Sequence, residues 1–99
     1  MIPMEREIEA KLNALVAKYG GNCLKWVCPG WTGVPDRIAV LPGGGVLFIE
    51  TKRPKGGKLS AMQRWWKRRL LDLGHDYWIV KDFDDLADLD RYLAEYMKR

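Results

Sequence analysis

Residues 46–52, Val46-Leu47-Phe48-Ile49-Glu50-Thr51-Lys52, form the stretch that decides the fold of this chain. Their apolar start predicts a strand that ends in charged residues. Because side chains alternate between the two faces of a strand, we expect Glu50 and Lys52 on one face and the Thr51 side chain on the other, away from them. A carboxylate at the end of so apolar a run is costly without a partner, so the position of Glu50 itself calls for a cation.

A second acid, Asp36, stands fourteen residues before Glu50, at the start of the strand predicted after the loop 29–35. Asp after Pro is common turn chemistry, and a salt bridge to a lysine would also explain Glu50. Two acids that converge with Lys52, however, suit a hard cation such as Mg²⁺, which takes one or two carboxylates and shares substrate phosphates. Lys52 can then hold the attacking water or the scissile phosphate, as metal-assisted hydrolysis of a phosphodiester requires.

Pro35-Asp36 followed by Glu50-Thr51-Lys52 resembles the PD-(D/E)xK nuclease signature. With residues 33–37 (Gly-Val-Pro-Asp-Arg), 48–53 (Phe-Ile-Glu-Thr-Lys-Arg) and 59–63 (Leu-Ser-Ala-Met-Gln), the chain is similar to the VRR-NUC domain in its small stand-alone form, which is typical of phages and prophages. The similarity runs from Glu5 to about Val80. It implies one nuclease domain over residues 1–99, with a restriction-endonuclease-like PD-(D/E)xK core, that works with Mg²⁺ or Mn²⁺ in the cytoplasm of a bacterial host cell.

The periodicity of the apolar residues independently predicts an α/β chain in the order αβββαβα. The resemblance places these elements in a central mixed sheet flanked by helices. Glycines are expected to end the first two helices, and Ser60 to cap the second. We predict helices over 4–19, from the cap at 60 to 73, and over 83–97, and strands over 23–27, 37–41, 46–51 and 77–80, with a hairpin turn at 42–45.

The resemblance also distributes roles among the residues of the site. Asp36 and Glu50 are expected to hold the metal, and Lys52 to position or polarise the attacking water. The side chain of Thr51 points away from the site in this interpretation, but its backbone carbonyl is an available metal ligand.

Two helices are expected to add one residue each. Glu5 and Glu9 share a face of the first helix that borders the apolar stripe, and the resemblance favours Glu9 as the ligand, whereas Glu5 can simply favour the helix dipole. Gln63 is expected to form hydrogen bonds in the active site. It also stands three residues after Ser60, where it can complete a capping box, and both roles can hold.

The charge is distributed unevenly along the chain. Residues 1–71 carry thirteen Lys/Arg against five Asp/Glu, and residues 72–99 carry four against eight. No acid lies between Thr51 and Leu71. We call the Lys and Arg residues of this segment the cation stripe: Lys52, Arg53, Lys55, Lys58, Arg64, Lys67, Arg68 and Arg69. A merely solvated helix face usually mixes signs, so the stripe indicates a nucleic-acid-binding surface. Trp31 is a ring that can stack on a base. The expected DNA contacts are Lys25, Trp31, Arg37, Arg53, Lys55, Lys58, Arg64, Lys67 and Arg68.

The resemblance to stand-alone VRR-NUC proteins, and more distantly to archaeal Holliday-junction resolvases, implies four-way DNA junctions as the substrate. Resolving a junction takes two symmetric cuts, so we expect a homodimer. Five Trp, four Tyr and two Phe exceed what a small core readily buries. The rings at 65–66, 77–78, 92 and 96 are the expected interface, unless they line the DNA groove or cap the core of a monomer.

Two other functions stay open, a nuclease that acts on flaps or other branched DNA and a DNA-binding module with an inactive site. Other classes are excluded by composition. No apolar stretch approaches the roughly 20 residues of a membrane span, so no membrane partner is expected. Two Cys and one His are too few for a structural zinc site.

Overall fold

The computed structural model describes residues 4–99, whose helices and strands follow the predicted order αβββαβα. A 3₁₀ turn at Pro42–Gly44 joins the second and third strands where a hairpin turn was expected. The predicted limits of every element agree with the structure within two residues. The elements are α1 (Glu5–Lys18), β1 (Asn22–Lys25), β2 (Arg37–Val40), β3 (Val46–Thr51), α2 (Ala61–Asp72), β4 (Asp76–Val80) and α3 (Phe83–Tyr96).

The four strands form one sheet in the order β1-β2-β3-β4. The first three pair antiparallel, and β4 runs parallel to β3 because α2 carries the chain back across one face. The predicted mixed sheet is therefore confirmed. Arg37 lies opposite Ile49 in this register, so the residue before it, Asp36, comes beside Glu50. The register of the sheet, and not proximity along the chain, brings the two acids together.

One face of the sheet carries the hydrophobic core. α1 and α3 pack on it, with Ile8, Leu12 and Leu89 fully buried against Leu47 and Ile49 of β3. Burying an apolar side chain of this size contributes about 1.5–3 kcal/mol, so this face supplies much of the stability. Within residues 4–99, no helix is both long enough and apolar enough to cross a membrane.

The opposite face of the sheet is only partly covered. α2 packs over β4 and reaches the end of β3, where its residue Gln63 contacts Glu50. Leu24, Val40 and Val46 point to this same face and remain exposed. We call these three residues the uncovered patch. Contiguous exposed apolar side chains of this kind often mark a surface that binds a partner.

Most aromatic rings find partners within the chain. The hydroxyls of Tyr92 and Tyr96 donate hydrogen bonds at 2.7 and 2.8 Å. Trp78 packs against the ring of Tyr92 beside the core. Trp65, by contrast, is 52 % exposed. Trp78, Tyr92 and Tyr96 therefore have contacts within one chain, and the prediction that surplus rings form a dimer interface stays a prediction.

The loop 29–35 is held against the start of α2 by a close contact at Gly33. This glycine has a φ of +84°, and a Cβ built there would lie 2.6 Å from the backbone carbon of Met62. The loop is also fixed by Trp66, whose Nε1 donates a hydrogen bond to the carbonyl of Thr32 at 3.0 Å. Only glycine suits both the conformation and the space. The chain therefore enters Asp36 from a defined position.

Replacing Gly33 with Ala should destabilise the protein more than replacing Gly30. Gly30 has nearly the same φ, +86°, but no atom lies within 4 Å of a Cβ built there. Both variants share a backbone cost of roughly 1–2 kcal/mol, so their difference isolates the contact with α2. We expect Gly33→Ala to lose a further ~1–3 kcal/mol in urea unfolding. Equal losses in the two variants would show that α2 does not hold the loop.

Candidate active site

Glu50, the last residue but one of β3, is buried, with 5 % of its surface exposed. Its Oε2 accepts a hydrogen bond from Gln63 Nε2 at 3.2 Å and lies 3.8 Å from Lys52 Nζ. The predicted alternation therefore holds, because Glu50 and Lys52 meet on one face. Glu50 Oε1 is buried and has no hydrogen-bond partner among the described residues. Leaving a carboxylate oxygen in that state is costly, so this oxygen calls for a partner, either a positively charged ligand or an ordered water.

The electrostatics of the site centre on the same carboxylate. Burial raises the pKa of Glu50 to about 7, and the negative charge of Asp36 adds to the rise, whereas Lys52 opposes it. The charge of Glu5 on α1 also raises this pKa slightly. A desolvated carboxylate beside a second negative charge is a combination found more often at functional sites than elsewhere.

Asp36 holds its carboxylate at the edge of β3. Oδ1 accepts a hydrogen bond from the backbone N–H of Thr51 at 2.8 Å, and Oδ2 accepts one from the Thr51 hydroxyl at 2.5 Å. The expectation that the Thr51 side chain points away from the site is therefore wrong. That side chain does face the opposite side of the sheet from Glu50, but Asp36 lies at the strand edge and is reached from there.

The backbone at this edge is fixed as well. The carbonyl of Asp36 accepts a hydrogen bond from the N–H of Trp26 at 2.8 Å, which extends the pairing of β1 with β2. The N–H and C=O of one strand residue point to the same edge. Because the N–H of Thr51 points to Asp36, its carbonyl faces the same edge, as the metal-ligand hypothesis requires.

Glu9 reaches the same edge from α1. Its Oε1 lies 3.4 Å from the Thr51 hydroxyl oxygen, whose single proton is donated to Asp36, and its Oε2 lies 3.3 Å from the guanidinium of Arg37. Glu9 therefore lies on the Thr51 side of β3, while Glu50 lies on the other side and Asp36 between them. Glu5 influences the pKa of Glu50, so both helix acids approach the site, and the role of Glu9 stays a prediction.

Arg37 does not lie where a DNA contact was expected. Only 12 % of its side chain is exposed, and it faces α1, where the guanidinium contacts Glu9 and, at 3.4 Å, Asn13. It is the residue after Asp36 in the chain, and the alternation of β2 turns it toward the core face. These contacts suit Arg37 to holding Glu9 in place and not to meeting a phosphate.

Gln63 makes both of the contacts that were left open. Its backbone N–H and its side-chain Oε1 bond to the side chain and backbone of Ser60, at 3.1 and 2.9 Å, which completes the predicted capping box. Its Nε2 donates to Glu50 Oε2. A single amide thus starts α2 and orients the buried carboxylate.

The cation stripe lies on the surface next to this edge. Trp31, 62 % exposed, and Trp65 both contact the ring of Trp66 edge-on, so two exposed rings stand beside the cations. Arg68 pairs with Asp72 on α2 at 3.2 Å. Of the cations expected to contact DNA, Lys25, Arg53, Lys55, Lys58, Arg64 and Arg68 are exposed and Lys67 is half-buried, and Arg69 of α2 is exposed as well.

The pattern of residues 77–80 gives no sign that Tyr77 lies beside the site. Its hydroxyl is buried without a hydrogen-bond partner among the described residues. Burial raises the pKa of Tyr77, and the charges of Glu50 and Asp36 raise it further. No sequence signal announces this placement, because the register of β4 against β3 decides which face Tyr77 takes.

In the part of the chain from residue 4 to 99, no three His, Cys, Asp or Glu side chains are gathered closely enough to form a ready-made metal-binding group. Asp36 and Glu9 turn toward Thr51, and Glu50 turns toward Gln63. The acids therefore approach one another across the edge of β3 without pointing at one common position.

No protein-family model matches the chain, but it is similar to known proteins over most of its length. It is 44 % identical over 85 residues to the curated protein "Putative nuclease p44" of Acyrthosiphon pisum secondary endosymbiont phage 1, over 86 % of this chain and 89 % of that protein. It is also similar to a solved structure described as "VRR_NUC domain", with a TM-score of 0.81 and 25 % identity, over 86 % of this chain and 91 % of that chain. Both similarities concern the whole fold and not one motif.

Replacing Glu50 with Gln should stabilise the metal-free protein at pH 8. The folded state raises the pKa of Glu50 from 4.5 to about 7 and so disfavours its charged form. The destabilisation is absent below the unfolded pKa, grows between the two values and is complete above the folded one. We expect a gain on the order of 1–3 kcal/mol in urea unfolding with EDTA at pH 8, and none near pH 4.

The matched control is Glu95→Gln, because Glu95 is an exposed glutamate paired with Lys98 on the surface. It should change the free energy of unfolding by less than about 0.5 kcal/mol. A Glu50→Gln variant no more stable than the wild type at pH 8 would show that the folded state does not raise the pKa of Glu50.

Proposed function

Because this chain belongs to the VRR-NUC family of nucleases, we propose that it is a structure-specific DNA endonuclease that hydrolyses phosphodiester bonds at four-way junctions with Mg²⁺ or Mn²⁺. The observation that carries the proposal is that Asp36, the buried Glu50 and Lys52 lie close together where β3 ends, in a chain that also carries the exposed cation stripe. The similar curated protein is phage-encoded, which supports the cytoplasm of a bacterial host as the place of action.

The residues of the site fit a hard divalent cation. Glu50 Oε1 is buried without a partner among the described residues, and a cation would favour the charged form that burial and Asp36 disfavour. The proposed ligands, Glu9, Asp36, Glu50 and the Thr51 carbonyl, supply only oxygen, the donor atom that Mg²⁺ and Mn²⁺ prefer. When bound, such an ion supplies Lewis acidity to phosphodiester hydrolysis.

Lys52 is the group of the chain that acts on the reacting atoms in this proposal. Its side chain is 18 % exposed and its Nζ lies 3.8 Å from Glu50 Oε2, so the ammonium lies in the site and not in bulk solvent. An ammonium has three hydrogen-bond donors, enough to hold an attacking water and the scissile phosphate together. Gln63 keeps Glu50 in orientation, and Arg37 does the same for Glu9.

DNA binding is proposed to depend mainly on phosphate contacts. The exposed cations of the stripe face solvent, where they can contact phosphates. Binding of this kind is strong at low salt and indifferent to sequence. Trp31 and Trp65 add exposed rings on which an unpaired base at a branch point can stack, for about 1–3 kcal/mol per base.

A second copy of the chain is the proposed partner of the uncovered patch. Leu24, Val40 and Val46 form its apolar surface, and a two-fold pair of identical sites provides two symmetric cuts. Val46 and Glu50 are four residues apart on β3, about 13 Å along the strand. Val46 and the site therefore lie at opposite ends of β3.

Purified protein should cut a synthetic four-way junction in Mn²⁺ or Mg²⁺ and not in EDTA. Asp36→Asn and Lys52→Met should each slow cleavage by at least about 10²-fold. The first removes a proposed metal ligand, and the second removes the ammonium proposed to hold the attacking water. Gel-based cleavage assays on labelled junctions measure both effects. The affinity of both variants for the junction, measured in EDTA, should differ from that of the wild type only a few-fold.

Lys55→Met is the matched control for Lys52→Met, since it removes the same charge from an exposed position of the stripe. It should weaken binding slightly and leave the cleavage rate at saturating DNA unchanged. Flap and linear duplex substrates assayed in parallel decide which structure is preferred. Binding without metal-dependent cleavage of any DNA structure would favour the alternative, a DNA-binding module with an inactive site.

Sedimentation equilibrium at micromolar concentration should give a mass of twice the 11.5 kDa of one chain. Leu24→Lys should shift it toward one chain, because it places a charge in the uncovered patch, while Met97→Lys adds the same charge at an exposed residue outside the patch and should not. A wild-type mass of one chain would overturn the dimer and leave the nuclease proposal standing.

A further inference from the structure

Tyr77 carries a buried hydroxyl that the proposed mechanism does not use. It lies on β4 beside Phe48 of β3, and alternation places it on the face that holds Glu50. The hydroxyl oxygen has no hydrogen-bond partner among the described residues. Such groups are rare in proteins because leaving them unpaired is costly. A phenylalanine would fill the same space without that cost, so the hydroxyl calls for a function.

The complementary atom lies on the same face of the sheet. Glu50 is in register with Ile79, two residues beyond Tyr77. Diagonal neighbours of this kind are about 7–8 Å apart, within reach of an aromatic side chain. Glu50 Oε1 has no partner among residues 4–99, whereas Oε2 is bonded to Gln63. A donor without an acceptor and an acceptor without a donor are therefore neighbours.

We infer, on the basis of the proposed function, that Tyr77 is a positioning residue of the active site, whose hydroxyl is linked to Glu50 Oε1 through one ordered water. A buried water needs at least two polar partners, and these two atoms provide them. The charges of Glu50 and Asp36 contribute to the raised pKa of Tyr77, so its hydroxyl lies within the field of the carboxylates. With Gln63 on one oxygen and Tyr77 on the other, the carboxylate is oriented and still has lone pairs for a cation.

Tyr77→Phe tests this role because it removes only the hydroxyl. Since that hydroxyl has no direct partner within the described chain and is bonded only through a water, the metal-free variant should unfold at nearly the same urea concentration as the wild type. Mn²⁺ should bind about 10-fold more weakly by calorimetry, and junction cleavage should slow by about 10- to 100-fold with little change in KM. If the hydroxyl had a merely structural role, its loss would lower stability together with Mn²⁺ affinity and cleavage, and not the last two alone.

Tyr96→Phe is the matched control. Its hydroxyl donates to the carbonyl of Pro42 at 2.8 Å, at the turn that precedes β3 and so at the opposite end of that strand from Glu50. This variant should lose stability and keep both Mn²⁺ affinity and cleavage. Unchanged Mn²⁺ affinity and cleavage in Tyr77→Phe would overturn the inference. A large loss of stability in that variant would also overturn it, since the hydroxyl would then belong to the structural framework.

A crystal structure of the metal-free wild type separates this inference from the proposed function. A water within hydrogen-bond distance of both the Tyr77 hydroxyl and Glu50 Oε1 supports the inference even if the protein cuts no DNA. A Tyr77 hydroxyl bonded to another group overturns it even if the protein is an active nuclease. The water in place without cleavage of any substrate would count against the nuclease proposal alone.

Discussion

The buried carboxylate of Glu50 is the constraint on which the arrangement of the site depends. It ends an apolar strand, where a charge is costly, and each neighbouring element supplies a group that responds to that charge. α2 supplies the amide of Gln63, β3 itself supplies Lys52, and the start of β2 supplies Asp36, whose charge makes the cost larger. A fold selected only for stability would not keep this combination. Natural proteins tolerate it where the destabilised group has a function.

The hydrophobic core and the buried carboxylate of Glu50 lie on opposite faces of the sheet. Ile8, Leu12 and Leu89 pack on one face with almost no polar groups among them. The stability of this core offsets the cost of the buried carboxylate on the other face. The contact between Glu9 and Arg37 is the exception, because it brings an ion pair to the edge of the core face, where only 12 % of the arginine side chain remains exposed. At the end of β3, both faces of the sheet thus contribute polar groups close to one another.

Those features of the fold and of the site that depend only on residues near one another in the chain could be predicted from the sequence. Alternation along a strand places Glu50 and Lys52 together without any knowledge of the fold, and the spacing of Ser60 and Gln63 defines a capping box by itself. The contacts of Thr51 could not be predicted in this way, because they depend on which side of the strand edge the Asp36 carboxylate takes.

Arg37 and Tyr77 illustrate the same limit. A charge pattern counts an arginine as a DNA contact whichever way it faces, and composition counts a tyrosine as surplus without knowing its neighbours. The register of β2 and β4 against β3 decides both placements, and register is a property of the assembled sheet.

The double role of Gln63 limits how this position can change in evolution. A glutamate caps a helix in the same way, and capping boxes use either residue. Here, however, a glutamate would face Glu50 Oε2 with a second negative charge in place of an amide donor. Drift from glutamine to glutamate, harmless for the helix, would therefore be removed by selection on the site. At this position helix capping alone allows glutamine or glutamate, whereas the hydrogen bond to Glu50 requires the amide of glutamine.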